Sequence, residues 1–160
     1  MDLDKIMHSD FMKEAIRMAS ENVLKGGGPF GAIVVKGDKV IARSGNSVTQ
    51  TNDPTAHAEV NAIREACKVL NTFHLEGCTI YSSCEPCPMC LSAIYWARID
   101  NVYFAASRDD AAEAGFDDSL IYNEIPKPFG ERLIPFKILP EEERKHPFVL
   151  WNQNTSKIKY

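Results

Sequence analysis

Two short segments of the chain place metal-ligating and acid–base side chains at fixed spacings. His57-Ala58-Glu59 sets an imidazole two residues before a carboxylate, and Cys84-Glu85-Pro86-Cys87-Pro88-Met89-Cys90 begins 25 residues after Glu59. His and Cys are the usual zinc ligands, and a catalytic zinc keeps three protein ligands and an open position for water. His57, Cys87 and Cys90 supply that set. Glu59 is then left beside the metal as a base that is not a ligand. Zinc lowers the pKa of its water to about 7. Glu59 can take that water's proton and hand it on, which is general acid–base work.

The spacing constrains the elements that must hold these groups. Residues i and i+2 of a helix point about 200° apart. His57 and Glu59 can therefore share a target only if it lies off the N-terminal end of their helix. Pro88 suits the first turn of a second helix, which puts Cys87 and Cys90 at a helix entry too. Two helix N-termini aimed at one point favour thiolates and a bound hydroxide. A closed structural zinc is the competing arrangement, because Cys84, Cys87 and Cys90 with His57 would make Cys₃His. Against it, Cys84 ends a strand before the turn that the other two cysteines share, and a closed site leaves Glu59 without a role. A lone Cys-x-x-Cys could also be redox-active. The combination H-x-E…P-C-x-x-C is far more specific and points to hydrolytic zinc chemistry on nucleobases.

Around these segments the hydrophobic pattern alternates between helix and strand. A helix is expected from about Ser9 to Lys25, ended by Gly26-Gly27-Gly28-Pro29. Strands are expected at Phe30–Val35 and Val40–Arg43, joined by the hairpin Lys36-Gly37-Asp38-Lys39. A polar loop, Ser44 to Thr55, leads to a helix from His57 to Leu70. Thr79–Ser83 reads as a strand, Pro88–Arg98 as a helix, Val102–Ala106 as a strand, and Pro135–Leu139 as a fifth. The stretch Ser107–Ile134 is expected to be irregular apart from a short helix at Ser119–Tyr122, and Glu141–Tyr160 to be part helix. These elements predict an α/β layered fold in a single domain, residues 1–160.

Composition narrows the function. The chain has 44% hydrophobic and 25% charged residues, which excludes a disordered or fibrous protein. Its 18 Lys+Arg against 22 Asp+Glu give a net charge of −4, which argues against a nucleic-acid binder built on phosphate neutralisation. The start Met-Asp-Leu-Asp-Lys-Ile has no basic and apolar leader pattern, and no apolar run is long enough for a membrane span, so a cytoplasmic location is expected. Five cysteines, three within seven residues, favour metal binding over a disulfide framework. Cys67 and Cys78 are expected to be core, and His8, His74 and His146 to be surface residues. On composition alone, Glu113, Asp117 and Asp118 form a solvated acidic face.

At this point the chain resembles the cytidine-deaminase-like superfamily, and within it the bacterial guanine deaminases. The resemblance runs from Gly28-Pro29-Phe30-Gly31-Ala32 to Tyr160. It is carried by Asn52–Glu59, Cys84–Ala97, and Asp110-Ala111-Ala112-Glu113-Ala114-Gly115-Phe116-Asp117-Asp118 with a C-terminal Tyr. It implies a three-layer α/β/α fold with a mixed five-stranded sheet. It implies a homodimer that exchanges the segment 141–160 between subunits. By the same resemblance, zinc is held by His57, Cys87 and Cys90, and Glu59 is the proton shuttle. Asp118 contacts the departing exocyclic amine, Asn46 hydrogen-bonds the purine, Phe30 stacks on it, and Tyr160 closes the pocket. The backbone N–H groups of Ala58 and Cys87 assist. The implied reaction is attack of zinc-bound hydroxide on C2 of guanine, releasing ammonia and xanthine in purine breakdown.

Overall fold

The computed structural model describes residues 3–160. Met1 and Asp2, part of the stretch read for a leader, lie outside the described residues. The chain forms two compact units, one ending at Asp118 and the other Ser119–Tyr160. No helix among the described residues is long and apolar enough to cross a membrane.

In chain order the first unit contains α1 (Leu3–Leu24), β1 (Gly31–Lys36), β2 (Lys39–Gly45), α2 (Val48–Thr51), α3 (Ala58–Leu70), β3 (Cys78–Cys84), α4 (Pro88–Trp96), β4 (Asn101–Ala106) and α5 (Arg108–Glu113). The sheet order is β2-β1-β3-β4. β1 pairs antiparallel with both β2 and β3, and β3 pairs parallel with β4. A parallel neighbour demands a crossover, and α4 supplies it.

Residues 31–35 of β1 are buried on both faces, as expected of a strand with helices on either side. Ala32, Val34 and Ile80 pack with Ala58, Ala62, Ile63 and Ile94 of α3 and α4. Ile33, Val35 and Tyr81 pack on the other face with Ala15, Phe11 and Met18 of α1. Helix, sheet and helix therefore form three layers. Glycine makes the closest approach possible: a Cβ at Gly31 would sit 2.5 Å from the Ala15 carbonyl oxygen and 2.8 Å from the Ala19 nitrogen.

Four local expectations change. α1 starts several residues before Ser9, because its first turns have a tertiary anchor. His8 Nδ1 hydrogen-bonds the Tyr81 hydroxyl, and its ring lies 4.5 Å from that of Tyr103. His8 is thus not a bare surface residue. The stretch after β4 is not irregular throughout, since Ser107 and Asp110 form a reciprocal capping box that starts α5. The sheet has four strands among the described residues, not five. Pro135–Leu139 lies in the second unit, which contains no strand to pair with. Pro135 also lacks an amide donor.

The second unit contains α6 (Ser119–Glu124), two 3-10 turns (Phe129–Glu131 and Glu142–Lys145) and α7 (His146–Gln153). Arg132 organises its first half. Its guanidinium lies 5.0 Å and 4.7 Å from the rings of Phe129 and Phe136, and it donates to the carbonyls of Ile125 and Lys127. Near the end of the chain, Tyr160 meets Trp151 edge-on, with ring centroids 6.4 Å apart.

Gly31→Ala forces β1 and α1 apart and should cost about 1–3 kcal/mol, the usual range for overpacking. Urea unfolding measures it, and an unchanged midpoint would show that α1 is not seated as closely as described.

Candidate metal centre and active site

The site is built from two helix starts. His57 is the N-cap of α3, with extended backbone (φ −69°, ψ 155°), and Cys87 is the N-cap of α4 (φ −64°, ψ 168°). An N-cap side chain normally bonds back to the first turn. Neither His57 nor Cys87 does so, which leaves imidazole and thiol free to point elsewhere. Pro88 at the first helical position fixes the α4 entry. Asn61 anchors the loop before His57, its amide donating to the carbonyls of Gly45 and Ala56 and to Ser47 Oγ. Asp53 shapes the same loop by accepting from the amide and hydroxyl of Thr55. The turn after β3 is tied down by Glu85, whose amide donates to the Ala106 carbonyl and whose carboxylate accepts from the Arg108 amide.

His57 Nδ1 lies 3.5 Å from both Cys87 Sγ and Cys90 Sγ. All three donor atoms lie within 4.8 Å of one another. Bond lengths of about 2.0–2.1 Å to nitrogen and 2.3 Å to sulfur put tetrahedral N and S ligands about 3.6 Å apart. The donor set therefore fits a zinc ion with little movement. Cys84 is not part of this group. Its thiol donates to the Ser107 carbonyl at 3.5 Å, and burial pushes it up to about 11. The closed Cys₃His arrangement is therefore not what the chain builds.

Glu59, in the first turn of α3, is buried beside the ligands. Its Oε1 accepts from Ser82 Oγ at 2.9 Å and its Oε2 from Cys90 Sγ at 3.4 Å. Burial raises its pKa. The neighbouring Cys90 and His57 hold the Cys87 thiol far below its ordinary value, at about 4, while Cys87 and burial push Cys90 up. The hydrogen bond to Cys87 also raises His57.

The structure also joins Asn46 to Phe30. The Asn46 backbone N–H donates to the Phe30 carbonyl, and the Phe30 ring meets Phe116 edge-on at 5.0 Å. Asn46 is buried, with its Oδ1 accepting from the Val48 amide. Ala58 is fully buried next to His57. Asp118 is raised by burial and, to a lesser extent, by the charge of Cys87. Tyr160 belongs to the second unit, beside Trp151. An apolar cavity of about 380 Å³, lined in part by Ile16, Phe30, Cys84, Ala111 and Phe116, contains none of the three ligands and not Glu59.

Two residues of this neighbourhood escape sequence reasoning. Ser82 is one, and paired serines in an otherwise apolar central strand were its only signal. Asn22 is the other. Its amide donates to the carbonyls of Gly28 and Asn46, both at 2.7 Å, and so clamps the chain on either side of Phe30 to α1. Close packing on Asn22 explains two glycines, since a Cβ at Gly27 or Gly45 would lie within 2.8 Å of its side chain.

Cys87→Ser and Cys90→Ser should lose bound zinc, whereas Cys84→Ser should retain about one ion per chain. Metal content of the purified variants decides this. Loss of zinc in Cys84→Ser to the same extent would restore the closed-site reading.

Comparison with known proteins agrees with this geometry. Residues 5–106 match the family described as the cytidine and deoxycytidylate deaminase zinc-binding region. A guanine deaminase of Bacillus subtilis (strain 168) is 56% identical over 96% of this chain and 99% of its own. Its crystal structure superposes with a TM-score of 0.94 over 96% of this chain and 98% of that one. A tRNA-specific adenosine deaminase of Aquifex aeolicus is 41% identical over 83% of this chain and 85% of its own. A guanine deaminase structure from Nitrosomonas europaea is 31% identical, with a TM-score of 0.65, covering 75% of this chain and 66% of that one. With its paired helix starts and its His, Cys and Cys donors, the chain belongs to the cytidine and deoxycytidylate deaminase zinc-binding family.

Proposed function

We propose that this protein is an enzyme that hydrolyses guanine to xanthine and ammonia. The observation that carries the reading is the 56% identity to the Bacillus subtilis guanine deaminase over nearly the whole of both chains. The more distant relative that acts on tRNA shares less of the sequence, and the net charge of −4 suits a small neutral base better than a polyanion.

His57, Cys87 and Cys90 would hold zinc. When bound, zinc supplies Lewis acidity and brings the pKa of water at its open position to about 7. The residues of the chain do the rest. Glu59 takes a proton from the attacking water and delivers it to a ring nitrogen of guanine as oxygen bonds to C2. Its burial suits this role, because a raised pKa makes the carboxylate a stronger base towards the attacking water. Asp118 contacts the exocyclic amine; as the C2–N bond breaks, the proton of the newly added hydroxyl passes to that amine, which leaves as ammonia, and C2 keeps the oxygen as a carbonyl. Asn46 hydrogen-bonds the purine ring and Phe30 stacks on it, held in mutual register by their backbone hydrogen bond. The amides of Ala58 and Cys87, each at a helix start, help to hold the base.

The enzyme is proposed to act as a homodimer that exchanges the segment 141–160, with Tyr160 closing the partner's pocket. Large apolar side chains support association: Tyr95 and Trp96 on α4 are 77% and 68% exposed, and Phe104 on β4 is 49% exposed.

Ammonia release should be much faster from guanine than from adenine, cytosine or guanosine; equal or greater release from another of these bases would reassign the substrate. Glu59→Ala should retain zinc and lose about 10²–10⁴-fold in turnover, and near-normal turnover would remove Glu59 from the mechanism. A tail-deleted chain mixed with Glu59→Ala chains should regain activity through hybrid dimers. No recovery after demonstrated subunit exchange would show that the tail does not cross.

A further inference from the structure

We propose that Ser82 is a positioning residue for the proton-transferring carboxylate. The inference rests on the reading of Glu59 given above, and deepens it. Ser82 is 2% exposed and lies in β3, opposite Ala32 of β1 and Phe104 of β4. Strand alternation puts its side chain on the same sheet face as Ile80, which packs against α3 and α4. A hydroxyl there is out of keeping with its apolar neighbours, yet it is fully used: it donates to Glu59 Oε1 at 2.9 Å.

The two oxygens of Glu59 face different partners. Oε2 is 3.4 Å from Cys90 Sγ and is therefore the oxygen on the side of the metal ligands. Oε1 points to the sheet and is held by Ser82. The two bonds differ in durability. Cys90 can donate to Oε2 only while it is a thiol, and a cysteine that ligates a metal is a thiolate without a proton to give. The Ser82 bond does not depend on that proton. With the ligands engaged, it remains as a fixed donor to the carboxylate, on the oxygen that does not face the ligands. Ser82 thereby holds the carboxylate in one rotamer and leaves Oε2 to take a proton from water and return it to the base. It transfers no proton itself. Placement of this kind acts on the chemical step more than on binding.

The test combines substitutions at both positions with a spectroscopic reading. Ser82→Ala should lower kcat for guanine by about 10- to 100-fold, the size expected for one hydrogen bond to a charged group, with KM changed by less than about two-fold and zinc content unchanged. Ser82→Thr, which keeps the hydroxyl, should recover most of the rate. In a Glu59→Gln background, Ser82→Ala should change the residual rate little, because the residue acts through Glu59. The Glu59 carboxylate stretch, isolated by infrared difference against Glu59→Gln, should shift on Ser82→Ala, with or without zinc. An unmoved band, a normal kcat, or an equal loss in both backgrounds would overturn the proposal. The band is independent of substrate. A shifted band in an enzyme that releases no ammonia from guanine would refute the substrate reading and leave the contact standing.

Discussion

Two helices must begin at the same point, and the site depends on that constraint. His57 and Cys87 occupy the N-cap positions of α3 and α4 without capping either helix. Each uncapped helix gives up about 0.5–2 kcal/mol that a serine or aspartate would have contributed. In exchange, both side chains converge with Cys90 at the starts of two helices, whose positive ends favour thiolate ligands. Metal binding can offset the missing caps, because a ligand set assembled only in the folded chain contributes its binding energy to folding.

The sheet decides where those helix starts lie. β3 is central, with β1 antiparallel on one side and β4 parallel on the other. Its last residues serve the site in sequence. Ser82 reaches Glu59, Ser83 Oγ accepts from the Gly31 amide, and Cys84 bonds the Ser107 carbonyl as the chain turns towards Cys87. On the other side of the site, Asn22 ties α1 to the loop and strand end that carry Phe30 and Asn46. His57, Glu59, Cys87 and Cys90, and the pair Phe30 and Asn46, are thus fixed by the same three layers. The surroundings adjust the acid–base behaviour: Glu59 rises because it is buried, whereas Cys87 falls beside Cys90 and His57.

Most of the site was legible because its residues are close in sequence and their spacing has few geometric solutions. The H-x-E and P-C-x-x-C segments imply helix starts, and both helices begin within one residue of the expected positions. The hairpin was legible for the same local reason, with Gly37 at φ +62°. What could not be read was set by distant contacts. α1 extends towards its N-terminus because His8 finds Tyr81, 73 residues away. Pro135–Leu139 has the composition of a strand, yet strands need partners, and its unit provides none. Ser82 and Asn22 carry no motif, since a hydrogen bond to a residue 23 or 24 positions away leaves no periodic trace.

His57, Cys87 and Cys90 form an open three-ligand set for a metal, with Glu59 and Cys84 outside it. X-ray absorption at the zinc edge of the intact protein tests it most directly. The account predicts two sulfur neighbours at about 2.3 Å and two lighter neighbours at about 2.0–2.1 Å, one from His57 and one from solvent. Three sulfur neighbours with one nitrogen would contradict it, and would make the zinc a structural one.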